Sequence, residues 1–593
     1  MTNYFRAKIS LGKHTDIQFK NQIHMKSLKV LVIIVFVVCT SFISHSQTVY
    51  KVIEELDIKV PMSDGTRLST NIYRPDAEGN FPAILIRTPY GNGGSGNKEG
   101  YFFAQNGYAY IVQDVRGRSE SEGMFYANWF EASDGYDMQQ WVGSQSWCNG
   151  KIGTTGGSYV GYTQWMPAPL QSPYLKTMVP AVTFSDLYST VYQNGAFRLG
   201  LFGPWSIEMT QPFIVPKDSV QHHMNKVLLS LPLIEQDKTM GWRIPFLRDW
   251  LLHPERDKFW EKTSVGDNYT KISASVYNIG GWYDILLGGT IENYMKMTND
   301  KIAPEIRKKQ KLLIGPWVHN WGRQIVGEID FGEEASFKGR EFLLRWFDNQ
   351  LKDINNGAME EPPVKIFVMG ANIWRYENEW PLTRTNYQKY YFHSRGKANT
   401  LDDDGWLSID LAENEPTDKF TYDPSDPVIS KNEMGPYDQT AIEKRNDVLV
   451  YTTPRLKNNL EVTGPVKVIL FASSSAKNTD FTAKLVDVYP DGRTIRICEG
   501  IIRASYRDAD EKPTNIEPGK IYEYAIDLWA TSNLFKAGHQ IRVEISSSCF
   551  PRFDRNLNTG NNFATDTTVL KAEQIIYHSA DYPSCIVLPV ITK

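Results

Sequence analysis

An α/β fold joined to a separate all-β domain is what this sequence predicts, on three observations. Up to about residue 355, short apolar strands alternate with helical stretches, the pattern of a largely parallel sheet with helices on both faces. After about Asn356, short strands follow one another through Pro, Gly, Asn and Asp turns without helices between them, which predicts a β-sandwich, here a jelly roll. Within the first part, residues 186–271 break the alternation and are rich in aromatics, among them Phe202, Trp205, Phe213, Trp242, Phe246, Trp250 and Trp260. They are read as a helical cap over the C-terminal edge of the sheet. The expected domains are thus a core at 47–185 and 272–355, a cap at 186–271 and a β domain at 356–593.

At 593 residues the chain exceeds one ordinary domain. The composition is globular, with 41% hydrophobic and 22% charged residues, and a net charge of -4 gives no basic footprint for nucleic acid. The N-terminus reads as an address. Lys26 and Lys29 precede an apolar run from Val30 to Val38, and Ser44-His45-Ser46 offers small residues before a cut at Gln47. Residues 1–46 are therefore expected to be a secretory signal peptide, with Met25 as the natural start. The run is shorter than the ~20 residues of a membrane span, so the mature chain is expected to have no span and to be secreted or periplasmic. A lipoprotein signal through Cys39 fits less well, because Val37-Val38 supplies no small residue before it. Cleavage leaves Cys148, Cys498, Cys549 and Cys585, which allow disulfides or free buried thiols.

In order, Ile58–Pro75 reads as two strands around the turn Ser63-Asp-Gly-Thr66. Pro82–Arg87 is a short buried strand ending in Thr88-Pro-Tyr-Gly91, and Tyr108–Gln113 is the next, closing on Asp114-Val-Arg-Gly117. A helix is expected around Gly135–Val142. Lys151–Thr154 ends a strand, Gly156-Gly157 makes a tight turn with Ser158 at its apex, and Tyr159–Trp165 begins a helix that Pro167 and Pro169 keep short. Beyond the cap, strand Ala274–Ile279 leads into Gly280-Gly-Trp-Tyr-Asp284. Strand Lys311–Ile314 leads into Gly315-Pro-Trp-Val-His319, and Phe337–Lys352 is a helix. Strands of the β domain are expected at 362–370, 389–393, 447–451, 466–472, 482–489, 494–505, 541–547 and 574–578.

A serine on a sharp strand-to-helix turn has its hydroxyl lifted clear of the sheet, with the helix's first free N–H groups beside it. That is the nucleophile elbow of an α/β-hydrolase, although the second glycine stands one place later than usual, at Gly161. Such a serine needs a base, and the base needs an orienting carboxylate. Asp284 and His319 follow in the required order, each in the loop after a strand. His222, His223 and His253 precede any suitable acid, whereas His393, His539 and His578 fall in the β domain.

Asp114-Val-Arg-Gly117, Trp147-Cys-Asn-Gly-Lys-Ile-Gly153, Gly156-Gly-Ser-Tyr-Val-Gly161, Gly280-Gly-Trp-Tyr-Asp284 and Gly315-Pro-Trp-Val-His319 together resemble the CocE/NonD hydrolases. The group takes in cocaine esterase-like enzymes, glutaryl-7-aminocephalosporanic acid acylases, α-amino-acid ester hydrolases and X-Pro dipeptidyl-peptidases. The resemblance covers nearly the whole mature chain. It implies Ser158 as nucleophile, His319 as base, Asp284 as its orienter, and an oxyanion hole from the Tyr90 hydroxyl and the Tyr159 N–H. Asp114 and Arg116 are expected to be scaffold. Tyr192, Leu286 and Leu287 are expected at the substrate pocket. The amino-ester branch has carboxylates where Leu286 and Leu287 stand here, which counts against that mode of ammonium recognition.

The expectation is a serine hydrolase that cleaves an ester or amide through an acyl-enzyme, with no cofactor and no metal. Asp402-Asp-Asp-Gly405 is an acidic turn without the spaced ligands of a calcium loop. Its partner is a small ester, amide or short peptide, and a homo-oligomer is open. An X-Pro dipeptidyl-peptidase or α-amino-acid ester hydrolase is the nearer alternative. A carbohydrate-binding protein with a relict core is the remoter one.

Overall fold

In a computed structural model, residues 49–210, 227–239, 241, 243–401, 404–430 and 434–592 are described. The expected signal peptide lies outside them, as do His222, His223, Phe213, Trp242 and part of the acidic turn at 402–405. The core sheet is built from β1 (Val52–Pro61), β2 (Arg67–Pro75), β3 (Phe81–Thr88), β4 (Ala109–Asp114), β5 (Cys148–Gly157), β6 (Leu175–Ala181), β7 (Ser275–Gly281), β8 (Gln310–Gly315), β9 (Val364–Val368) and β10 (Ile373–Glu377). Their order across the sheet is β1-β2-β4-β3-β5-β6-β7-β8-β9-β10. From β4 to β9 every pair is parallel. The central strands are buried along their length, as β7 and β8 show, which is why they read as apolar runs rather than alternations.

Helices α1 (Lys98–Gln105), α2 (Glu131–Gly143) and α3 (Tyr159–Trp165) follow β3, β4 and β5. In the cap come α4 (Leu187–Val191), α5 (Leu199–Thr210) and α6 (Pro245–Leu252), and α7 (Leu287–Thr298) and α8 (Gly339–Lys352) return to the sheet. Helix α8 buries Trp346, Phe347 and Leu351. The Trp346 Nε1–H donates to Thr177 Oγ1 on β6 at 2.9 Å. Phe347 lies where Gly153 leaves room, since a Cβ there would come within 2.7 Å of its ring.

Three expectations need correction. The strand expected at 362–370 does not open the β domain. As β9 it pairs in parallel with β8, and β10 folds back on it, so the core sheet runs on to Glu377. Its sequence, VKIFV, is that of any buried strand, and sequence spacing does not say which sheet a strand joins. The turn expected at Gly156-Gly157 is strand: β5 runs through both glycines, and Gly157 pairs with Ala181. The cap is not wholly helical, because Tyr192–Gln193 and Ala196–Phe197 form a small hairpin.

From Thr385 to Ile591, eleven strands among the described residues make the expected all-β domain, with Leu460–Ser474 and Tyr522–Phe535 its longest pair. Cys148, Cys498, Cys549 and Cys585 are buried free thiols. Among the described residues no helix is long and apolar enough to cross a membrane.

Candidate active site

Ser158 directly follows β5 and caps α3 with φ 58 and ψ -128, a backbone conformation that is strained for any residue with a Cβ. The turn is locked from several sides. The Ser158 N–H donates to the Ala181 carbonyl at 3.0 Å, and its own carbonyl accepts from Gly161, Tyr162 and the Thr183 hydroxyl. A Cβ on Gly156 would sit 2.2 Å from Val160 Cγ1, and one on Gly161 would sit 2.5 Å from Thr183 Cβ. Glycine at 161 is thus a packing requirement between α3 and the segment after β6. Gln164 latches strand to helix by donating to the Gly156 carbonyl and accepting from the Thr154 hydroxyl.

Asp284 and His319 are brought together by two interlocked loops. The Trp282 N–H donates to the Gly315 carbonyl at 2.8 Å, and the Tyr283 N–H to the Trp317 carbonyl at 2.9 Å. A Cβ on Gly281 would be 2.2 Å from that Trp317 carbonyl oxygen, so the glycine is what lets the loops touch. The outcome is a hydrogen bond of 2.7 Å between His319 Nδ1 and Asp284 Oδ1. Asp284 is fully buried, while about a third of the His319 side chain is exposed. The second Asp284 oxygen has no partner among the described residues.

Ser158, His319, Tyr90 and Tyr159 line one cavity of about 30 Å³, walled by Phe184, Phe202, Trp205, Ile285 and Leu286. The Tyr90 hydroxyl accepts from Trp205 Nε1–H at 3.2 Å. Burial raises the Tyr90 phenol pKa, and hydrogen bonds with Trp205 and Ser158 oppose the rise. Arg118 clamps this loop to the cap, with Nε donating to the Pro89 carbonyl at 2.7 Å and Nη1 to the Met209 carbonyl. Below the cleft, the Tyr159 hydroxyl donates to Glu131 Oε1 at 2.7 Å, and the other Glu131 oxygen meets Arg87 at 2.6 Å. The backbone N–H of Tyr159, first in α3, has no acceptor within the helix.

Not every expected site residue reaches the cleft. Leu286 does. Leu287 opens α7 and is turned into the core at 1% exposure. Tyr192 is also 1% exposed; its hydroxyl donates to the Trp250 carbonyl at 2.8 Å, and it borders a different, larger cavity. Arg116 is scaffold, paired with Asp134 and Asp64 at 2.7 Å each. Asn128 was not foreseen. It holds a left-handed φ of 65, its N–H donates to the Tyr159 hydroxyl, its carbonyl accepts from Tyr162, and its Nδ2 has no partner at the cleft wall. Only the residue type, an asparagine in a loop after β4, hinted at it.

The profile of the X-Pro dipeptidyl-peptidase (S15) family matches residues 64–321, and that of its C-terminal non-catalytic domain matches 356–587. Cocaine esterase of Rhodococcus sp. (strain MB1 Bresler) is 36% identical over 572 residues, covering 91% of this chain and 98% of the relative. The solved aminopeptidase of a marine sediment Thaumarchaeota archaeon superposes with a TM-score of 0.80 at 26% identity, covering 92% of this chain and 97% of its own. An α-amino acid ester hydrolase does so with a TM-score of 0.79 at 25% identity and the same coverage. The chain belongs to the X-Pro dipeptidyl-peptidase (S15) family as a CocE/NonD-type serine hydrolase.

Proposed function

We propose that the protein hydrolyses a carboxylic ester with Ser158 as nucleophile, His319 as base and Asp284 as its orienter. The observation that carries this reading is the Asp284–His319 hydrogen bond facing the cavity where Ser158 stands on its strained turn. Asp284 holds the imidazole with the proton on Nδ1, leaving Nε2 to take the Ser158 proton as Oγ attacks the acyl carbon. The oxyanion that forms is met by the Tyr159 N–H and the Tyr90 hydroxyl. His319 returns the proton to the leaving alcohol, and water then releases the acyl group by the same steps. Fluorophosphonate labelling tests this: the wild type should label at Ser158, and Ser158→Ala should not.

Leu286 in the cleft gives no counter-charge to an α-ammonium group beside the ester. Asp186 is paired with Arg256, and Glu235 lies against Lys238 and Arg248. Glu208 is exposed, and its charge contributes to the raised phenol pKa of Tyr90. An unpartnered buried ammonium costs several kcal/mol. A phenylacetyl p-nitrophenyl ester should therefore exceed the matched phenylglycyl ester by roughly tenfold in kcat/KM. A better phenylglycyl ester, or turnover of Gly-Pro-anilide, would favour the amino-ester or dipeptidyl-peptidase reading. We propose export as well, from the leader pattern at residues 1–46, so that the mature N-terminus read by sequencing should be Gln47.

A further inference from the structure

Beside the Ser158 cavity lies a second one of about 550 Å³, bounded by α4, α7 and the β domain. The two share Phe184, Thr190 and Leu286 as a common wall. Their sizes differ in kind. The space beside Ser158 is about 30 Å³, whereas 550 Å³ is room for a whole small-molecule ligand.

The walls of the larger cavity have a definite chemistry. Pro465 pairs with Ala530 and Lys467 with Asp527, so Val466 faces two residues, and the bulge sets Trp529 at φ 61. Its indole packs where Gly288 has no side chain. Trp380 supplies a second aromatic face. Glu292 on α7, Asp510 and Asp527 also line the cavity, and among the described residues none of the three forms an ion pair. Burial raises all three carboxyl pKa values. Gln193, 6% exposed, lines the same cavity with neither end of its amide bonded. Two cations line the cavity. Arg198 donates to the Thr190 and Ile285 carbonyls and lies over the Trp529 ring, and the exposed Lys296, one turn beyond Glu292, partly offsets the rise of its carboxyl pKa without forming an ion pair with it.

We propose that this cavity is an acyl subsite for esters whose chain ends in an organic cation, with Glu292 as the counter-charge and Trp380 and Trp529 flanking the chain. The proposal rests on Ser158 being the nucleophile. Glu292 stands six residues beyond Leu286, or about 9 Å along α7 at 1.5 Å per residue. With bonds of ~1.5 Å at angles of about 111°, an extended acyl chain of about five methylenes spans roughly 7–8 Å from acyl carbon to terminal nitrogen, a little short of that distance. The cation is thus expected at the far end of the chain, whereas one on the α-carbon meets Leu286.

The test compares p-nitrophenyl hexanoate with p-nitrophenyl 6-aminohexanoate at a pH where the amine is charged. The amino ester should be favoured by about tenfold in kcat/KM. Glu292→Gln should erase that preference, lowering kcat/KM for the amino ester about tenfold and for hexanoate far less. Equal or poorer turnover of the amino ester overturns the proposal, as does a Glu292→Gln effect shared equally by both substrates. Calorimetry with hexylammonium on the Ser158→Ala protein reads the cavity without turnover. Binding that disappears on adding Glu292→Gln supports the subsite, and no binding overturns it. If Ser158→Ala keeps full esterase activity while hexylammonium binding still depends on Glu292, the catalytic reading falls and the cation site stands.

Discussion

The β domain buries its charge mainly as ion pairs, although among the described residues it too leaves single atoms such as Glu544 Oε1 and Arg552 Nε without a partner, whereas the cleft leaves open polar atoms beside a cavity. In the β domain each buried cation meets an anion. Arg503 bonds Asp480 at 2.9 Å and Asp554 at 2.8 Å, Arg496 bonds Glu499 at 3.0 Å, and Lys484 bonds Glu544 at 2.9 Å. Its histidines behave alike, with His539 at 2.8 Å from Asp487 and His393 at 2.7 Å from Glu415. Around the cleft, polarity is left open. Among the described residues, Asp284 keeps one oxygen without a partner and Asn128 keeps a free Nδ2. Charge buried as a satisfied pair specifies structure, whereas a buried polar group kept unpartnered beside a cavity is poised to meet something else. Glu131 stands at the boundary, with one oxygen on Arg87 and the other on the Tyr159 hydroxyl.

The largest expected effect breaks the cleft and spares the fold. Ser158→Ala or His319→Ala should lower kcat on the order of 10⁶-fold, and Asp284→Asn about 10⁴-fold, with Tm unchanged. The losses should not add, because the three act as a unit; normal turnover by any one variant would remove that residue from the triad. The mirror experiment is Arg503→Ala, which leaves Asp480 and Asp554 buried without their cation. It should cost about 3–5 kcal/mol of stability in denaturant titrations, with kcat per folded molecule intact. Should kcat fall while stability holds, the division between the two regions fails.

Tyr90→Phe sharpens the comparison inside the cleft. Loss of one oxyanion donor should reduce kcat about 100- to 1,000-fold with little change in KM. A change in KM alone would make Tyr90 a substrate contact. The smallest effect concerns Asp114. Burial raises its carboxyl pKa to about 7, against the partial offset of Ser119 and Arg118. The folded state therefore holds this proton where the unfolded chain, near pH 4, has lost it, and stability from this group declines as pH rises from about 4 to about 7. Asp114→Asn should gain about 2–4 °C in Tm at pH 8 and little near pH 4. A gain that is flat across pH would show that Asp114 is not the titrating group.

Ser158, Asp284 and His319 were legible because each sits at a strand end within its own contiguous motif, with glycines that the local geometry demands. The same local grammar gave the parallel core, the cap and the long run of strands. What it left out depends on contacts between distant segments. VKIFV reads as a strand, but only pairing shows it beside β8. Leu286 and Leu287 are neighbours in sequence, yet the start of α7 sends one to the cleft and the other to the core. Tyr192 does line a cavity, but the larger one beside the cleft, because its ring packs against Tyr188, Trp260 and Phe563. Asn128 gains its place from the hydroxyls of Tyr159 and Tyr162, more than thirty positions downstream.

The run of the core sheet through β9 and β10 bears on how this chain can be cut and recombined. Met369, just past β9, donates to the Ser532 carbonyl at 2.9 Å and accepts from the Leu534 N–H at 2.8 Å, so main-chain bonds stitch the two halves together. The Trp282 indole, two residues from Asp284, donates to the Phe367 carbonyl at 2.7 Å. A truncation near residue 356 would leave β8, the strand that delivers His319, as a bare edge open to pairing with other chains. A catalytic fragment made that way would aggregate rather than work alone. A chimera that exchanges β domains between relatives has its natural crossover after Glu377, and its new half must reproduce the backbone seam at Met369.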